Sequence, residues 1–198
     1  VAGIGGVGSW AVEALARSGI GKLTLIDLDN VAESNINRQI HALSSTVGES
    51  KVEAMKRRIA EINDRCEVVV IEDFLTLENL ATMPWGDRKE SWILDAIDEV
   101  KVKAGLIAWA KKNRYKIITT GAAGGKRDAG ALLIDDLNLT YHDPLSARLK
   151  ARLKKEYGFP SKPKRFGVPA VFSSENSQAK SRSGGLDCSG YGSVITVT

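Results

Sequence analysis

The chain has 198 residues, 43% hydrophobic and 26% charged, which excludes a disordered or fibrous polymer and suits a globular domain with a real core. No apolar run approaches the ~20 residues of a membrane span, no secretory leader is evident, and two cysteines, Cys66 and Cys188, exclude a disulfide framework or a four-cysteine zinc site. The net charge of +4 joins two unlike halves: residues 1–100 carry 10 Lys and Arg against 17 Asp and Glu, and residues 101–198 carry 18 against 7.

The chain opens at VAGIGG, already inside a strand-to-helix turn, so its N-terminus is expected upstream. GIGGVG (Gly3–Gly8) satisfies G-x-G-x-x-G, with Gly3, Gly5 and Gly8 in the three positions and Gly6 between them. Such a turn brings backbone close to a phosphate and aims the N-terminus of the next helix at the anion. LTLID (Leu23–Asp27) reads as a strand ending on an acid placed to accept from ribose hydroxyls. Residues Lys51–Asn63 put Val52, Met55, Ile59 and Ile62 on one helical face. VVVIE (Val68–Glu72), WILDAID (Trp92–Asp98) and KIITTG (Lys116–Gly121) read as strands. Lys101–Asn113 repeats the helical pattern with Val102, Leu106, Ile107 and Ala110. Cys66, just before a strand, is expected to be buried.

Alternating strands and helices predict an α/β fold, Rossmann-like, with a mostly parallel sheet. After Gly121 the pattern changes. GAAGGKRDAG leads to a strand, ALLIDDL (Ala131–Leu137), with no room for a helix, which predicts an antiparallel hairpin and a mixed C-terminal portion. Leu145, Leu149 and Leu153 mark one face of a basic helix ending near Gly158. FPSKPKRFGVP and SSENSQAKSRSGG read as loops, and the chain stops within an apolar run, SVITVT. The division expected is one domain over 1–198: a nucleotide-binding core over 1–125 and a basic region over 126–198, with a flexible or incomplete loop near 173–186.

The glycine turn and Asp27 alone would suit NAD or FAD. A dinucleotide does not need Asp29, Asn35, Arg38, Gln39 and Lys51, nor Asp95 and Asp98. Ligands bind where the C-terminal ends of parallel strands line up, so these groups are expected to converge on the glycine turn. Two cations and a spare carboxylate suit a triphosphate with Mg²⁺, Arg38 and Lys51 offsetting phosphate charge and Asp98 holding the metal. Each residue also has a plain structural use as a helix start, strand-end cap or surface ion pair. All of them together are harder to explain that way.

GIGGVGSW, DLDNVAESNINRQ, Lys51 and DAID resemble, in order and spacing, the ubiquitin-activating-like (ThiF-type) adenylating enzymes over residues 1–125. The resemblance implies that Asp27 and Asp29 contact the ribose. It also implies that Asn35, Arg38, Gln39 and Lys51 hold the phosphates and that Asp98 binds Mg²⁺. The reaction implied is activation of a carboxylate as an acyl-adenylate with release of pyrophosphate, in a homodimer. Branches acting on molybdopterin- and thiamine-pathway sulfur carriers commonly carry paired C-x-x-C motifs, which this chain lacks.

NRQIHAL, TTGAAGG, DPLSARLKARLK, VFSSE and LDCSGYGS resemble instead the tRNA threonylcarbamoyladenosine dehydratases, across nearly the whole chain. That resemblance implies ATP-dependent ring closure of a modified adenosine beside the anticodon, with ATP and Mg²⁺ and room for a monovalent cation. Arg148, Lys150, Arg152, Lys154 and Lys155 are then expected to meet the phosphates of the tRNA anticodon stem-loop. Cys188 could take a sulfur or thioester role, which would bring in a cysteine desulfurase relay, or be a small residue in a glycine-rich turn. The interval between Ser174 and Leu186 is shorter than the family pattern. His41 and His142 are candidate bases, His41 the better placed. A cytoplasmic setting is expected, with membrane association left to residues beyond either end. Competing readings are an activator of a ubiquitin-like or sulfur-carrier protein, a sulfur-relay acceptor in which nucleotide only regulates docking, and an NAD-dependent oxidoreductase.

Overall fold

A computed structural model describes residues 1–161 and 163–176. In chain order the elements are helix α1 (Gly8–Arg17), strand β1 (Lys22–Ile26), helix α2 (Lys51–Ile62), strands β2 (Glu67–Ile71) and β3 (Trp92–Asp95), helix α3 (Val100–Lys112), strands β4 (Lys116–Thr120) and β5 (Leu132–Asp136), helix α4 (Pro144–Tyr157) and strand β6 (Pro169–Ser173). Local chemistry sets several of the ends. Glu99 caps α3 through the backbone N–H groups of Lys101 and Val102. Asp143 caps α4, Pro144 occupies its first turn and Gly158 closes it in the left-handed region at φ 69°.

Residues 1–3 join the two parts of the sheet. Ala2 N donates to Leu94 O at 2.9 Å and Gly3 N donates to Ile26 O at 3.0 Å, so this short segment lies between β1 and β3. The order is therefore β2-β1-(residues 1–3)-β3-β4-β6-β5. All pairings are parallel except β5 with β6, where Ile134 faces Val171. From residues 1–3 the chain builds outward to β1 and β2, then returns to build β3 and β4 on the other side. The sequence order thus reverses at the glycine turn, where α/β sheets open a crevice.

Two apolar cores follow from the strand alternation. Val12, Leu25, Val52, Met55 and Ile59 pack α1 and α2 together. Ile93, Ile117, Ala170, Leu106, Leu149 and Leu153 pack the sheet against α3 and α4. The opposite side chains, Leu94, Ile118, Val171 and Leu132, face a second, apolar cavity of about 210 Å³ shared with Trp10, Ala11 and Ala14 of α1. Trp92 and Ile134, 60% and 70% exposed, stand at alternate positions on these same strands.

The mostly parallel α/β architecture with a mixed C-terminal portion is as expected. The expected hairpin is not: β6 inserts between β4 and β5, pairing parallel with one and antiparallel with the other. β6 escapes sequence reading because it opens on proline and follows a Pro- and Lys-rich stretch that reads as loop. The strand expected over Trp92–Asp98 stops at Asp95, and the remaining residues turn into α3. Cys66 is half-buried rather than buried. Cys188, most of the short interval after Ser174 and the terminal apolar run lie outside the described residues. Among the described residues, no helix is long and apolar enough to cross a membrane.

Candidate active site

A cavity of about 650 Å³ opens along the C-terminal strand ends. It brings together Gly3, Gly5, Gly6, Asp27, Asp29, Asn35, Arg38, Gln39, Lys51 and Asp98. All but one of the residues expected to hold nucleotide or metal are therefore in one place. Gly8 is the exception, and its role is packing: a Cβ there would sit 1.8 Å from the Gly3 carbonyl oxygen. Gly3, at φ +85°, also lies too close to the Ala96 carbonyl for a side chain. At Gly5 the nearest atom to a Cβ is Gln39 Nε2, at 4.0 Å, so the backbone is open toward the cavity. Helix α1 has no side-chain cap and no acid in its first turn. The Ser9 N–H is taken by the Gly5 carbonyl at 3.0 Å, and the positive end of the helix faces the cavity with no side chain offsetting it.

The charged groups are braced partly by neighbours close in sequence and partly by groups 22 to 23 residues away. Asp27 accepts from the backbone N–H of Ile4 at 2.6 Å and of Asp29 at 2.9 Å, tying the end of β1 to the glycine turn. Lys51 opens α2 and pairs with Asp29 at 2.7 Å while otherwise buried. Asn35 accepts from Ala32 N–H at 3.0 Å and fixes the 3-10 turn at Glu33–Asn35. Arg38 donates to the Ser34 carbonyl and the Asn37 side chain, each at 2.8 Å. Gln39 lines the cavity with its buried side-chain oxygen unpartnered.

Asp95 and Asp98 separate. Asp98 lines the cavity and is exposed. Asp95, expected beside it, points into the protein: it and Lys103 are both 0% exposed, 3.1 Å apart. Thr119 donates to the same carboxylate at 2.7 Å, and Lys103 also donates to the Ile97 carbonyl at 2.9 Å. Strand alternation explains the difference, because Asp95 shares the inward face with Ile93. This buried pair underlies the turn that presents Asp98. Lys103 escapes sequence reading, since a lysine in an apolar helix reads as a solvated position.

His41 does not line the cavity. It is 2% exposed and neither ring nitrogen has a partner. Burial, then the charges of Lys51 and Arg58, push its pKa down to about 4, so it is neutral and not poised as a base. His142 bonds the Ser174 carbonyl through Nδ1 at 2.8 Å, a structural use.

Asp73, Phe74 and Leu75 after β2, and Thr120–Ala123 with Leu145 at the other end, also line the cavity. Thr120–Ala123 lie within TTGAAGG and Leu145 within DPLSARLKARLK, two of the stretches that carry the resemblance, whereas Asp73–Leu75 carry no such motif. The far end is gripped from a distance. Asp143, 4% exposed, accepts from Ala122 N–H at 2.8 Å and Ser146 N–H at 2.7 Å. Lys126, 2% exposed, donates to the carbonyls of His142 at 3.0 Å, Ser173 at 3.4 Å and Glu175.

The five basic residues of α4 do not form one surface. Arg148, Arg152 and Lys155 fall on one helical stripe, with Arg152 paired to Glu156 at 3.0 Å. Lys150 instead donates to the Thr140 carbonyl at 2.6 Å, and Lys154 lies 5.8 Å from the Phe166 ring centroid.

Among the described residues, no three His, Cys, Asp or Glu side chains cluster as a metal cage. One exposed carboxylate, Asp98, beside a cavity large enough for a nucleotide nevertheless fits Mg²⁺, which keeps several waters and binds through one or two carboxylates plus phosphate oxygens.

The ThiF family model matches residues 1–158. The tRNA threonylcarbamoyladenosine dehydratase of Haemophilus influenzae is 46% identical, the match covering 100% of this chain and 78% of that protein. The crystal structure of E. coli tRNA N6-threonylcarbamoyladenosine dehydratase in complex with AMP superposes with a TM-score of 0.90 at 44% identity, over 99% of this chain and 78% of that one. The same enzyme in complex with ATP gives 0.86 at 45%, over 98% and 77%.

Proposed function

The chain belongs to the ThiF family, and from that premise we propose that it is an ATP-dependent tRNA-modifying enzyme that dehydrates threonylcarbamoyladenosine through an acyl-adenylate. The observation that carries this reading is the convergence of the glycine turn, Asp27, Asp29, Arg38, Lys51 and Asp98 on one cavity. We read residues 1–198 as one adenylating domain.

In this reading the purine and ribose lie toward Asp73–Leu75 and Asp27/Asp29, with the phosphates over the glycine turn. The substrate carboxylate attacks the α-phosphorus, and the bond to the bridging oxygen breaks with its electron pair leaving on pyrophosphate. Arg38 and Lys51 offset that charge, with the amide of Gln39 and the turn at Asn35 as further contacts. Asp98 would hold Mg²⁺, which when bound offsets phosphate charge. A nucleophilic atom of the same side arm then adds to the acyl carbon, AMP leaves with the former carboxylate oxygen, and a proton is released. Proximity supplies much of the rate, so no enzyme nucleophile is needed. A monovalent cation would draw on carbonyl oxygens, and this chemistry does not depend on one.

The basic stripe Arg148, Arg152 and Lys155 supports contact with the anticodon stem-loop phosphates, and the reaction belongs in the cytoplasm with its tRNA. A homodimer is supported by the apolar sheet face bearing Trp92, Ile134 and the cavity of about 210 Å³. A sulfur-relay role with a cysteine desulfurase would rest on Cys188, outside the described residues. The deciding experiment supplies ATP, Mg²⁺ and tRNA carrying the modified adenosine. The expected result is AMP in step with a nucleoside lighter by one water, and no AMP with an intact substrate overturns the reading.

A further inference from the structure

Stability alone does not explain the buried ion pair beneath the cavity. Asp95 at the end of β3 and Lys103 in α3 are both 0% exposed and 3.1 Å apart. Replacing such a pair by apolar side chains of similar volume is often neutral or stabilising. Lys103 lies on the buried side of α3 with Leu106, Ile107 and Ala110, where an apolar side chain would pack as well. What an apolar side chain lacks is directed donors. An ammonium has three, and Lys103 places them on the Asp95 carboxylate at 3.1 Å, the Asp95 carbonyl at 3.2 Å and the Ile97 carbonyl at 2.9 Å. The second oxygen of that carboxylate accepts from the Ile97 N–H at 3.2 Å, and Thr119 of β4 donates to the first at 2.7 Å. The pair therefore holds irregular backbone on both sides of Ala96, backbone that no strand or helix partner satisfies.

We infer, on the reading of Asp98 as the metal carboxylate, that Lys103 and Asp95 are positioning residues for the divalent ion: they fix the turn that follows β3 and so aim Asp98. Asp98 comes directly after Ile97 and is exposed in the cavity. Its own carboxylate accepts no hydrogen bond among the described residues, so its aim is set by its backbone. That backbone has an anchor on each side. Ile97 before it is held by Lys103 at 2.9 Å, and Glu99 after it caps α3 through the N–H groups of Lys101 at 2.8 Å and Val102 at 2.6 Å. Ala96 has a separate anchor, its N–H donating to the Ala2 carbonyl at 2.9 Å. This bond ties the glycine turn to β3 without Lys103. Metal and nucleotide binding should then separate: the nucleotide follows the glycine turn, and the ion follows the buried pair. Bonds that orient a metal-binding carboxylate are typically worth about 10–100-fold in metal affinity.

The test uses Asp95→Leu/Lys103→Met in the full chain, with Mn²⁺ as the probe. Mn²⁺ binding is read by electron paramagnetic resonance, with enzyme in excess over ATP so that no nucleotide is free. ATP affinity in EDTA is read by calorimetry, and folding by the denaturant midpoint. We expect Mn²⁺ affinity of the enzyme–ATP complex to fall at least about 10-fold, while ATP affinity in EDTA stays within about twofold of wild type and the midpoint lies close to it. If this variant does not fold, Asp95→Asn/Lys103→Met keeps the shape of residue 95, removes both charges and carries the same comparison. Wild-type Mn²⁺ affinity in a folded double variant overturns the positioning role and leaves the pair as core packing. Equal losses of Mn²⁺ affinity and of ATP affinity in EDTA also overturn it, because the turn would then shape the whole cavity. Asp98→Ala is measured beside them. Undiminished Mn²⁺ affinity in Asp98→Ala overturns the reading of Asp98 itself, and the positioning role falls with it.

Discussion

The two ends of the cavity are built in opposite ways. At the β1 end, charges face the ligand space and are braced both locally, Arg38 on Ser34 and Asn37, and from 22 to 23 residues away, Lys51 on Asp29 and Asp27 on Ile4. At the β4 end, charges are buried and grip backbone 21 to 49 residues away: Asp143 on Ala122, and Lys126 on Glu175. One end uses charge to bind and the other uses it to hold a neutral wall still. Substitutions should therefore damage chemistry at the first end and architecture at the second.

The largest effect is expected at the first end. Asp98→Ala and Arg38→Ala should each lower AMP formation with modified tRNA by about 10²–10³-fold, the usual cost of removing a group that stabilises developing charge. Thermal midpoints should barely move for Asp98→Ala, because Asp98 is exposed. Turnover like wild type in either variant would remove these residues from the chemistry.

Lys103→Met is the sharpest test of the buried architecture. It strands Asp95 in the core, where an unpaired charge costs about 3–5 kcal/mol. Denaturant midpoints should fall accordingly, and the double variant Asp95→Leu/Lys103→Met should recover most of the loss. If the double variant is no more stable than the single one, burial of an unpaired charge is not the cause.

His41 gives a smaller, pH-dependent effect between the two ends. Its pKa is pushed from 6.5 to about 4, so the unfolded chain binds the proton that the folded chain refuses. Stability from this group is complete above about pH 6.5 and is lost progressively toward pH 4, amounting to about 3 kcal/mol. Burial alone would raise the pKa of Glu13, but its bonds to Arg58 and Arg17 win and lower it, so its contribution is lost only below its ordinary value of 4.5. Equilibrium unfolding measured from pH 7 to pH 4 should lose most of its slope above pH 4.5 in His41→Phe. An unchanged slope would mean that His41 finds a partner for its proton in the folded state.

The same contrast explains what can be read from sequence. Gly3–Gly8, Asp27–Gln39 and Lys51 are legible because the turn, the strand end and the helix start are each local, and sheet topology brings consecutive strand ends together. Asp95 misleads because DAID carries two acids that look alike. Strand alternation turns Asp95 inward with Ile93, and the end of β3 at Asp95 leaves Asp98 in the turn that faces the cavity. Lys126 has no local signature, since its partners His142, Ser173 and Glu175 lie 16 to 49 residues away. Lys103 is held within eight residues but reads as a solvated helix position. Asp143 before Pro144 reads as a helix cap, while its hold on Ala122 does not show. Strand β6 is hidden for the same reason: what places it between β4 and β5 is pairing on both sides, not its own five residues.

The smallest effects concern the basic half. If α4 meets tRNA through one stripe, Arg148→Glu and Lys155→Glu should each weaken binding by severalfold at physiological salt. The slope of log affinity against log salt should flatten by about one per lost phosphate contact. Lys150→Ala should change that slope less, because its ammonium is spent on the Thr140 carbonyl at 2.6 Å, and should lower the thermal midpoint instead. Half-buried Lys154 sits 5.8 Å from the ring centroid of buried Phe166, a cation–π contact worth on the order of 1 kcal/mol, so Lys154→Met, which keeps the apolar stem, should cost little in either measure. Slope changes that simply follow the charge removed, about two for each Glu variant and about one each for Lys150→Ala and Lys154→Met, would mean that net charge, not the Arg148–Arg152–Lys155 stripe, attracts the polyanion. The basic half would then act as a diffuse field, and the orientation of the anticodon loop over the cavity would have to come from other residues.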